Sequence, residues 1–121
     1  RGLLETKGAK KYCIATRPIS DLVQRLDEAT EELKKRPPQP VDVVVVGGGA
    51  AGIELSMSVM GRWKPLLGKE NICVTVLDSN SQLLPNETPA NQDALLQILS
   101  NRGIDICYDC VVEEVEKTRP V

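Results

Sequence analysis

Histidine and phenylalanine are absent from the 121 residues, and aromatic residues make up only 2% of them. A zinc site built on the one CxxC pair would need two more ligands, yet the chain offers neither histidine nor a second CxxC. The basic residues are scattered and have no aromatic partners, which is unlike a nucleic-acid footprint. The sequence therefore predicts no metal site and no nucleic-acid partner.

Long apolar runs and long runs of like charge are also missing. No stretch approaches the roughly 18 apolar residues of a membrane span, and the N-terminus lacks the pattern of a signal peptide. With 41% hydrophobic and 26% charged residues and a net charge of -2, the composition is typical of one soluble globular domain. The chain begins with Arg1, so we expect a piece of a longer protein, and compartment and membrane association of the full-length protein stay open.

The four cysteines are Cys13, Cys73, Cys107 and Cys110. The last two have the spacing of a redox dithiol, but such a pair usually opens a helix, whereas the residues around these two alternate like a strand and a turn. Buried free cysteine behaves as a small hydrophobe. We therefore expect four reduced, structural cysteines, which favours a reducing intracellular compartment.

The hydrophobic pattern divides the chain in two. Residues 1–40 are predicted to form an entry segment with a short strand near 11–16, an amphipathic helix from Ser20, and a proline-rich connector. The amphipathic helix has its apolar residues at spacings of three and four, and prolines stop it at 36–40. Residues 41–121 are predicted to form a second domain.

Strands and helices alternate within residues 41–121. Buried parallel strands are predicted at 41–46, 72–78 and 104–108, and the β-branched first strand is expected to be covered on both faces. A helix should follow the first strand and end near Gly61, with a loop over 61–71. Thr88 and Pro89 should cap a second helix in this region. A fourth strand should begin at Val111. This order predicts an α/β fold, a Rossmann-like doubly wound parallel sheet in three layers, with an N-terminal helix.

A glycine-rich turn joins the first strand to its helix. Gly47, Gly49 and Gly52 fit G-x-G-x-x-G, and Gly48 is an additional glycine. Gly47 would allow the tight turn, Gly49 would let the backbone approach a pyrophosphate, and Gly52 would let the helix pack closely on the sheet. The free amides and the positive end of the helix dipole stabilise an anion there. No lysine follows the glycines, so ATP hydrolysis of the phosphate-loop type is disfavoured.

Two acids accompany the turn. Asp78 ends the second strand, where a carboxylate accepts hydrogen bonds from ribose hydroxyls and repels a 2'-phosphate, which favours NADH over NADPH. Glu54 lies beside the motif, where it is either functional or an ordinary first-turn acid that favours the helix dipole. The predicted cofactor-binding residues are Gly47, Gly48, Gly49, Ala50, Ala51, Gly52, Glu54 and Asp78. No catalytic residue is predicted.

Three segments together, VVVVGGGAAGIELSMSV, VTVLDSNSQLLP and LLQILSNRGIDICYDCVVEEVE, resemble the NAD(H)-binding domain of the FAD-dependent pyridine nucleotide-disulfide oxidoreductase superfamily. The resemblance covers about residues 41–116. Within that superfamily the chain looks most similar to type II NADH:quinone oxidoreductase-like flavoproteins, including those fused to selenide, water dikinase. The upstream RPISDLVQRLDEA supports this branch, since a similar lead into a helix precedes the domain there.

The resemblance implies that NADH lies along Gly47 to Gly52 with its ribose on Asp78 and with Glu54 near the nicotinamide. It also implies that hydride passes to FAD on a separate domain, which would be the partner of this one in the full-length chain, and that the acceptor is a quinone or a disulfide. The CxxxxC pair of the disulfide reductases is absent. The resemblance further implies that residues 41–121 are an NAD(H)-binding domain that is incomplete at its C-terminal end, without its final strand and without the flavin domain, so the piece alone should bind NADH weakly and be inactive.

Other readings of the same residues stay open. An FAD-binding domain uses the same glycines and strand-end acid, although it usually starts near an N-terminus. A methyltransferase has a similar fold, but its glycine turn need not contact phosphate. A short-chain dehydrogenase needs Tyr-x-x-x-Lys, whereas Tyr12 is followed at that distance by Thr16 and Tyr108 by Val112. A non-catalytic interaction module would keep the fold without the ligand.

Overall fold

A computed structural model describes residue 8 and residues 13–14, 19–37 and 39–113. The chain divides into two compact units, one of Arg1–Arg36 with Val112–Val121 and one of Pro37–Val111. The predicted short strand near 11–16 lies largely outside the described residues, and so does most of the predicted fourth strand. Residues 111–113, the described part of that fourth strand, have no regular structure.

The first unit contains helix α1, Ile19–Lys35. Asp21 lies in its first turn and Lys34 and Lys35 lie in its last, which complements the helix dipole at both ends. Within the helix, the Thr30 hydroxyl donates to the carbonyl oxygen of Leu26 over 2.7 Å. The amphipathic helix predicted from Ser20 is confirmed.

The second unit is built on a three-stranded parallel sheet. Its elements are, in chain order, β1 (Val41–Val46), α2 (Ala50–Leu67), a short 3-10 turn (Lys69–Asn71), β2 (Ile72–Leu77), α3 (Pro89–Asn101) and β3 (Ile104–Cys107). The strand order is β1-β2-β3, and both neighbouring pairs run parallel. The α/β, Rossmann-like fold with an N-terminal helix is confirmed.

One face of the sheet carries the core. The register aligns Val43 with Val74 and Val74 with Ile104, and the next row on the same face continues the apolar layer under the helices. On the opposite face Val44 is 55% exposed. The prediction that β1 is covered on both faces is therefore wrong, because the helices of this unit pack on one side, as successive right-handed crossovers in one direction require.

Helix α2 is longer than the sequence indicated. It continues through Gly61 and Pro65 to Leu67, so the predicted end near Gly61 is wrong, and only residues 68–71 of the predicted loop lie outside the helix. An interior proline costs about 3 kcal/mol and a glycine about 1. Full burial of each large apolar side chain contributes about 1.5 to 3 kcal/mol, and both Met60, directly before this stretch, and Trp63, within it, are buried. Packing of the helix on the sheet outweighs its poor local propensity.

Helix α3, the predicted helix capped by Thr88 and Pro89, is confirmed. Thr88 accepts a hydrogen bond from the backbone N–H of Asn91 at 3.2 Å, and Pro89 is the first helical residue. Gly103, with φ of +77°, follows the helix at the point where the chain turns into β3. Within the described residues, no helix is long and apolar enough to cross a membrane.

Candidate functional site

The carboxyl ends of the three strands meet at one edge of the sheet, where ligands bind in open α/β folds. The glycine turn follows β1, Asp78 follows β2, and a short turn follows β3. Backbone hydrogen bonds hold these ends together. The N–H of Gly47 donates to the carbonyl oxygen of Leu77 over 2.8 Å, and the N–H of Asp78 donates to that of Cys107 over 2.9 Å.

The glycine turn requires glycine at three positions for reasons within the protein. Gly47 has φ of +109°, a conformation that side chains rarely adopt. A Cβ at Gly52 would overlap the backbone carbonyl oxygen of Gly47, and one at Gly48 would overlap the carboxylate of Asp78. The close approach of α2 accounts for Gly52, as predicted, and the structure gives Gly48 a role that the sequence did not reveal.

Gly49 is different. Its φ of -70° and ψ of 173° suit any residue, and a Cβ there would meet nothing within 4 Å. Glycine is a favourable N-cap, but neither a positive φ nor overlap with a neighbouring atom requires it here. An approaching ligand would explain it, because a bare backbone lets an anion come close to the amides.

The start of α2 has the features of an anion-binding helix N-terminus. Gly49 is its N-cap and supplies no side-chain cap, and the first intrahelical bond runs from the N–H of Ile53 to the carbonyl oxygen of Gly49 over 3.0 Å. The amides of Ala50, Ala51 and Gly52 precede that bond and have no acceptor inside the helix. The first turn contains no acidic residue. The dipole therefore has no carboxylate of that turn to neutralise it.

Glu54 consequently lies beyond the first turn, and its side chain is exposed. The interpretation of this residue as a first-turn acid is wrong, because the helix begins at Ala50. Its predicted place near a nicotinamide stays a prediction.

The carboxylate of Asp78 is buried with one oxygen unpaired. The residue is 2% exposed. Its Oδ1 accepts a hydrogen bond from the backbone N–H of Asn80 at 3.0 Å, whereas Oδ2 has no partner among the described residues. A buried polar atom without a partner costs roughly 1 to 3 kcal/mol. A donor that reached Oδ2 would relieve this cost.

The bond from Asn80 could have been read from the sequence, since an Asp side chain often accepts from the backbone two residues later. The burial of the carboxylate under Gly48 had no such signal. Asp78 lies 26 residues beyond Gly52, compared with about 20 residues in dinucleotide-binding folds, and the extended α2 takes up part of this length.

Beyond β3, Cys107 and Cys110 are joined by a disulfide, with their Cα atoms 6.3 Å apart. The expectation of four reduced cysteines is therefore wrong for this pair, because the turn brings the two sulfurs together; Cys13 and Cys73 are free.

Burial, followed by the negative charge of Asp78, raises the pKa of Tyr108 above its ordinary 10.0, so this phenol stays protonated at neutral pH. Within the described part of the chain, no group of three or more potential ligands could hold a metal ion.

A sequence model of the pyridine nucleotide-disulphide oxidoreductase family matches residues 2–120. The chain belongs to this family. Membership implies a flavin and a nicotinamide dinucleotide as the cofactors of such proteins and an oxidoreductase as the enzyme type. No curated protein gives a significant match.

Solved structures of flavoproteins share this fold. NDH2 from Plasmodium falciparum, solved in complex with NADH, is 22% identical with a TM-score of 0.71 over 96% of this chain. The flavoprotein disulfide reductase RclA from Escherichia coli is 28% identical with a TM-score of 0.54 over 65% of this chain. The water-forming NADH oxidase from Lactobacillus brevis, bound to NADH, is 20% identical with a TM-score of 0.50 over 75%.

The matched region is a small part of each of these structures. It spans 27% of the NDH2 chain, 16% of RclA and 18% of the NADH oxidase. The predicted resemblance to the pyridine nucleotide-disulfide oxidoreductase family is confirmed by the family match, and the similarity to NDH2 shows the fold.

Proposed function

We propose that the chain is the NADH-binding domain of an FAD-dependent oxidoreductase. The pyrophosphate lies against the amides at the start of α2, along Gly47 to Gly52, and the adenosine ribose donates to Asp78. The nicotinamide, with Glu54 near it, would supply hydride to FAD carried by another domain of the full-length protein. That domain is the partner we propose, and a quinone or a disulfide is the final acceptor.

The observation that carries this proposal is Gly49. The other glycines of the motif are accounted for by φ or by overlap with neighbouring atoms, whereas Gly49 has an ordinary φ and open space around it. An anion approaching the uncapped start of α2 gives this glycine a purpose. The amides of Ala50, Ala51 and Gly52 would then donate to the phosphate oxygens, and charge-assisted bonds of this kind are among the stronger hydrogen bonds in proteins.

Asp78 supports the ribose half of the proposal. Its Oδ2 needs a donor and has two lone pairs, so it can accept from both ribose hydroxyls. The carboxylate lies under Gly48, so binding requires the glycine turn or the Asp78 side chain to shift outward. A negative charge at this place disfavours a 2'-phosphate, so we propose NADH rather than NADPH as the preferred ligand.

The burial of Asp78 favours one alternative. At 2% exposed, the carboxylate could serve only to hold the loop after β2, in a Rossmann-fold module that binds no ribose. An FAD-binding domain would use the same glycines. The first alternative is tested through Asp78, and the second by comparing NADH with FAD in the same titration.

Substitution of Asp78 separates a ribose-binding role from a structural one. Asp78→Asn keeps an oxygen for the Asn80 amide but removes the charge, and Asp78→Ala removes both. Because a hydrogen bond to a charged group contributes about 1.5 to 3 kcal/mol, we expect each variant to weaken NADH binding roughly 10- to 100-fold and NADPH binding less. The dissociation constants can be measured by the change in nicotinamide fluorescence.

The matched control is Asp42→Asn. Asp42 is an exposed acid on β1, four positions before the strand ends, and we expect its loss to leave both affinities unchanged. Equal losses of NADH and NADPH binding in the Asp78 variants, with the fold intact by circular dichroism, would remove the ribose role. Tighter binding of FAD than of NADH would assign the domain to FAD instead. We also expect no turnover of NADH by the chain alone.

A further inference from the structure

The turn that follows β3 is bonded to the loop that carries Asp78. The N–H of Asp78 donates to the carbonyl oxygen of Cys107, and the N–H of Cys110 donates to the carbonyl oxygen of Asp78, each over 2.9 Å. The N–H of Asp109 donates to the carbonyl oxygen of Asn80 over 3.0 Å. The backbone N–H and the backbone carbonyl oxygen of Asp78 are thus each hydrogen-bonded to one of the two cysteines.

A side-chain contact adds to these backbone bonds. The hydroxyl of Ser81 donates to a carboxylate oxygen of Asp109 over 3.2 Å. Asp109 itself has φ of +55°, a left-handed conformation that Asp adopts more readily than most residues other than glycine. The disulfide between Cys107 and Cys110 closes the turn that contains it.

The two sulfurs are placed for either oxidation state. Cys107 is exposed and Cys110 is half-buried, so a small thiol can reach the pair. Their Sγ atoms lie 3.9 Å and 3.3 Å from the carbonyl oxygen of Tyr108. A thiol can donate to this oxygen and a disulfide sulfur cannot, so the turn already contains an acceptor for the reduced pair.

We propose that Cys107 and Cys110 form a reversible dithiol–disulfide site whose oxidation state controls how firmly Asp78 is held for the dinucleotide. The proposal rests on the function proposed above for Asp78. It adds a chemical modification, thiol–disulfide exchange, at a pair of residues outside the glycine motif.

The exchange needs a dithiol as the reductant. One of its thiolates attacks the exposed sulfur of Cys107, the bond between Cys107 and Cys110 breaks, and a mixed disulfide forms. The second thiolate then attacks that mixed disulfide. Two electrons and two protons pass to the protein, Cys107 and Cys110 become thiols, and the reductant leaves as its own disulfide.

Reduction is expected to weaken binding of the dinucleotide. The disulfide restricts the conformations of residues 107–110, and without it the turn can leave the left-handed conformation at Asp109 and loosen its bonds to Asp78 and Asn80. The ligand must then order this segment when it binds. We expect NADH to bind roughly 3- to 10-fold more tightly to the oxidised chain, since the constraint closes only a short loop.

The test is an NADH titration of the chain in its two states, after oxidation with oxidised glutathione and after reduction with dithiothreitol. A portion of each sample, withdrawn before the titration and alkylated with a mass-labelled maleimide, reports the state of the pair. A variant carrying Cys107→Ser and Cys110→Ser should bind like the reduced chain and should not respond to either reagent.

The matched control is Cys73→Ser, because Cys73 is a free, exposed cysteine on β2 of the same unit. This variant should keep the full response of the unmodified chain. Equal affinity in the two states, or a pair that alkylation shows cannot be interconverted, would overturn the inference and leave the proposed function standing. Absence of NADH binding in both states would overturn the proposed function, and this inference with it.

Discussion

Alanine at position 49 distinguishes the role of the glycine turn in the fold from its role toward a ligand. The backbone at Gly49 has φ of -70° and ψ of 173°, which alanine adopts readily, and the added Cβ would meet no atom within 4 Å. Alanine is a poorer N-cap than glycine by less than about 1 kcal/mol, and its lower entropy in the unfolded chain offsets part of that. We therefore expect the free energy of unfolding to change by less than about 1 kcal/mol.

Binding should change far more than stability in the Gly49→Ala variant. A methyl group at Gly49 would stand between the backbone and the pyrophosphate and would lengthen at least one bond from an amide to a phosphate oxygen. A hydrogen bond to a charged group contributes about 1.5 to 3 kcal/mol, so its loss corresponds to a roughly 10- to 100-fold weaker affinity for NADH.

The assay is a pair of measurements on the same variant, urea unfolding followed by circular dichroism and NADH titration followed by fluorescence. Gly61→Ala is the matched control, because Gly61 is exposed within α2 and a Cβ there also meets nothing within 4 Å. It should raise stability by about 0.5 to 1 kcal/mol and leave NADH affinity unchanged. Unchanged NADH affinity in Gly49→Ala would refute the reasoning, since the glycine would then have no purpose in binding.

Two further predictions concern the fold. Gly52→Ala should lower the free energy of unfolding by roughly 1 to 3 kcal/mol in urea, because the new Cβ would overlap the carbonyl oxygen of Gly47 and the backbone must shift; stability equal to that of Gly61→Ala would contradict this contact. Thr88→Ala should cost about 1 kcal/mol in the same assay, because the amide of Asn91 loses its acceptor; no change would show that this cap does not contribute.

Regular secondary structure was predictable where local chemistry and burial agree. The valines of β1, the Thr88 cap and the glycine turn each produce the structure that their sequence indicates. The end of helix α2 was not predictable, because Gly61 and Pro65 locally disfavour a helix. The helix is stabilised there by side chains that are buried against residues distant in sequence. Such tertiary packing cannot be predicted from the local sequence pattern.

The residues of the candidate site were predictable from the sequence, whereas the contacts between its segments were not. The motif spacing indicated Gly47, Gly52 and Asp78, and the structure brings the glycine turn and the Asp78 loop together at one edge of the sheet. The sequence could not show that Gly48 covers the carboxylate, since this contact joins the ends of two strands. It also could not show that Cys110 bonds to Asp78, because that contact depends on the conformation of a turn.

The central claim is that a dinucleotide lies against the start of α2. The most direct measurement is a titration of the 15N-labelled chain with NADH while its amide resonances are followed. We expect saturable shifts at Gly47 to Gly52 and at Asp78, with weaker changes for NADPH and none beyond the binding edge on α3. Saturating NADH that leaves the resonances of Gly47 to Gly52 unmoved would contradict the account.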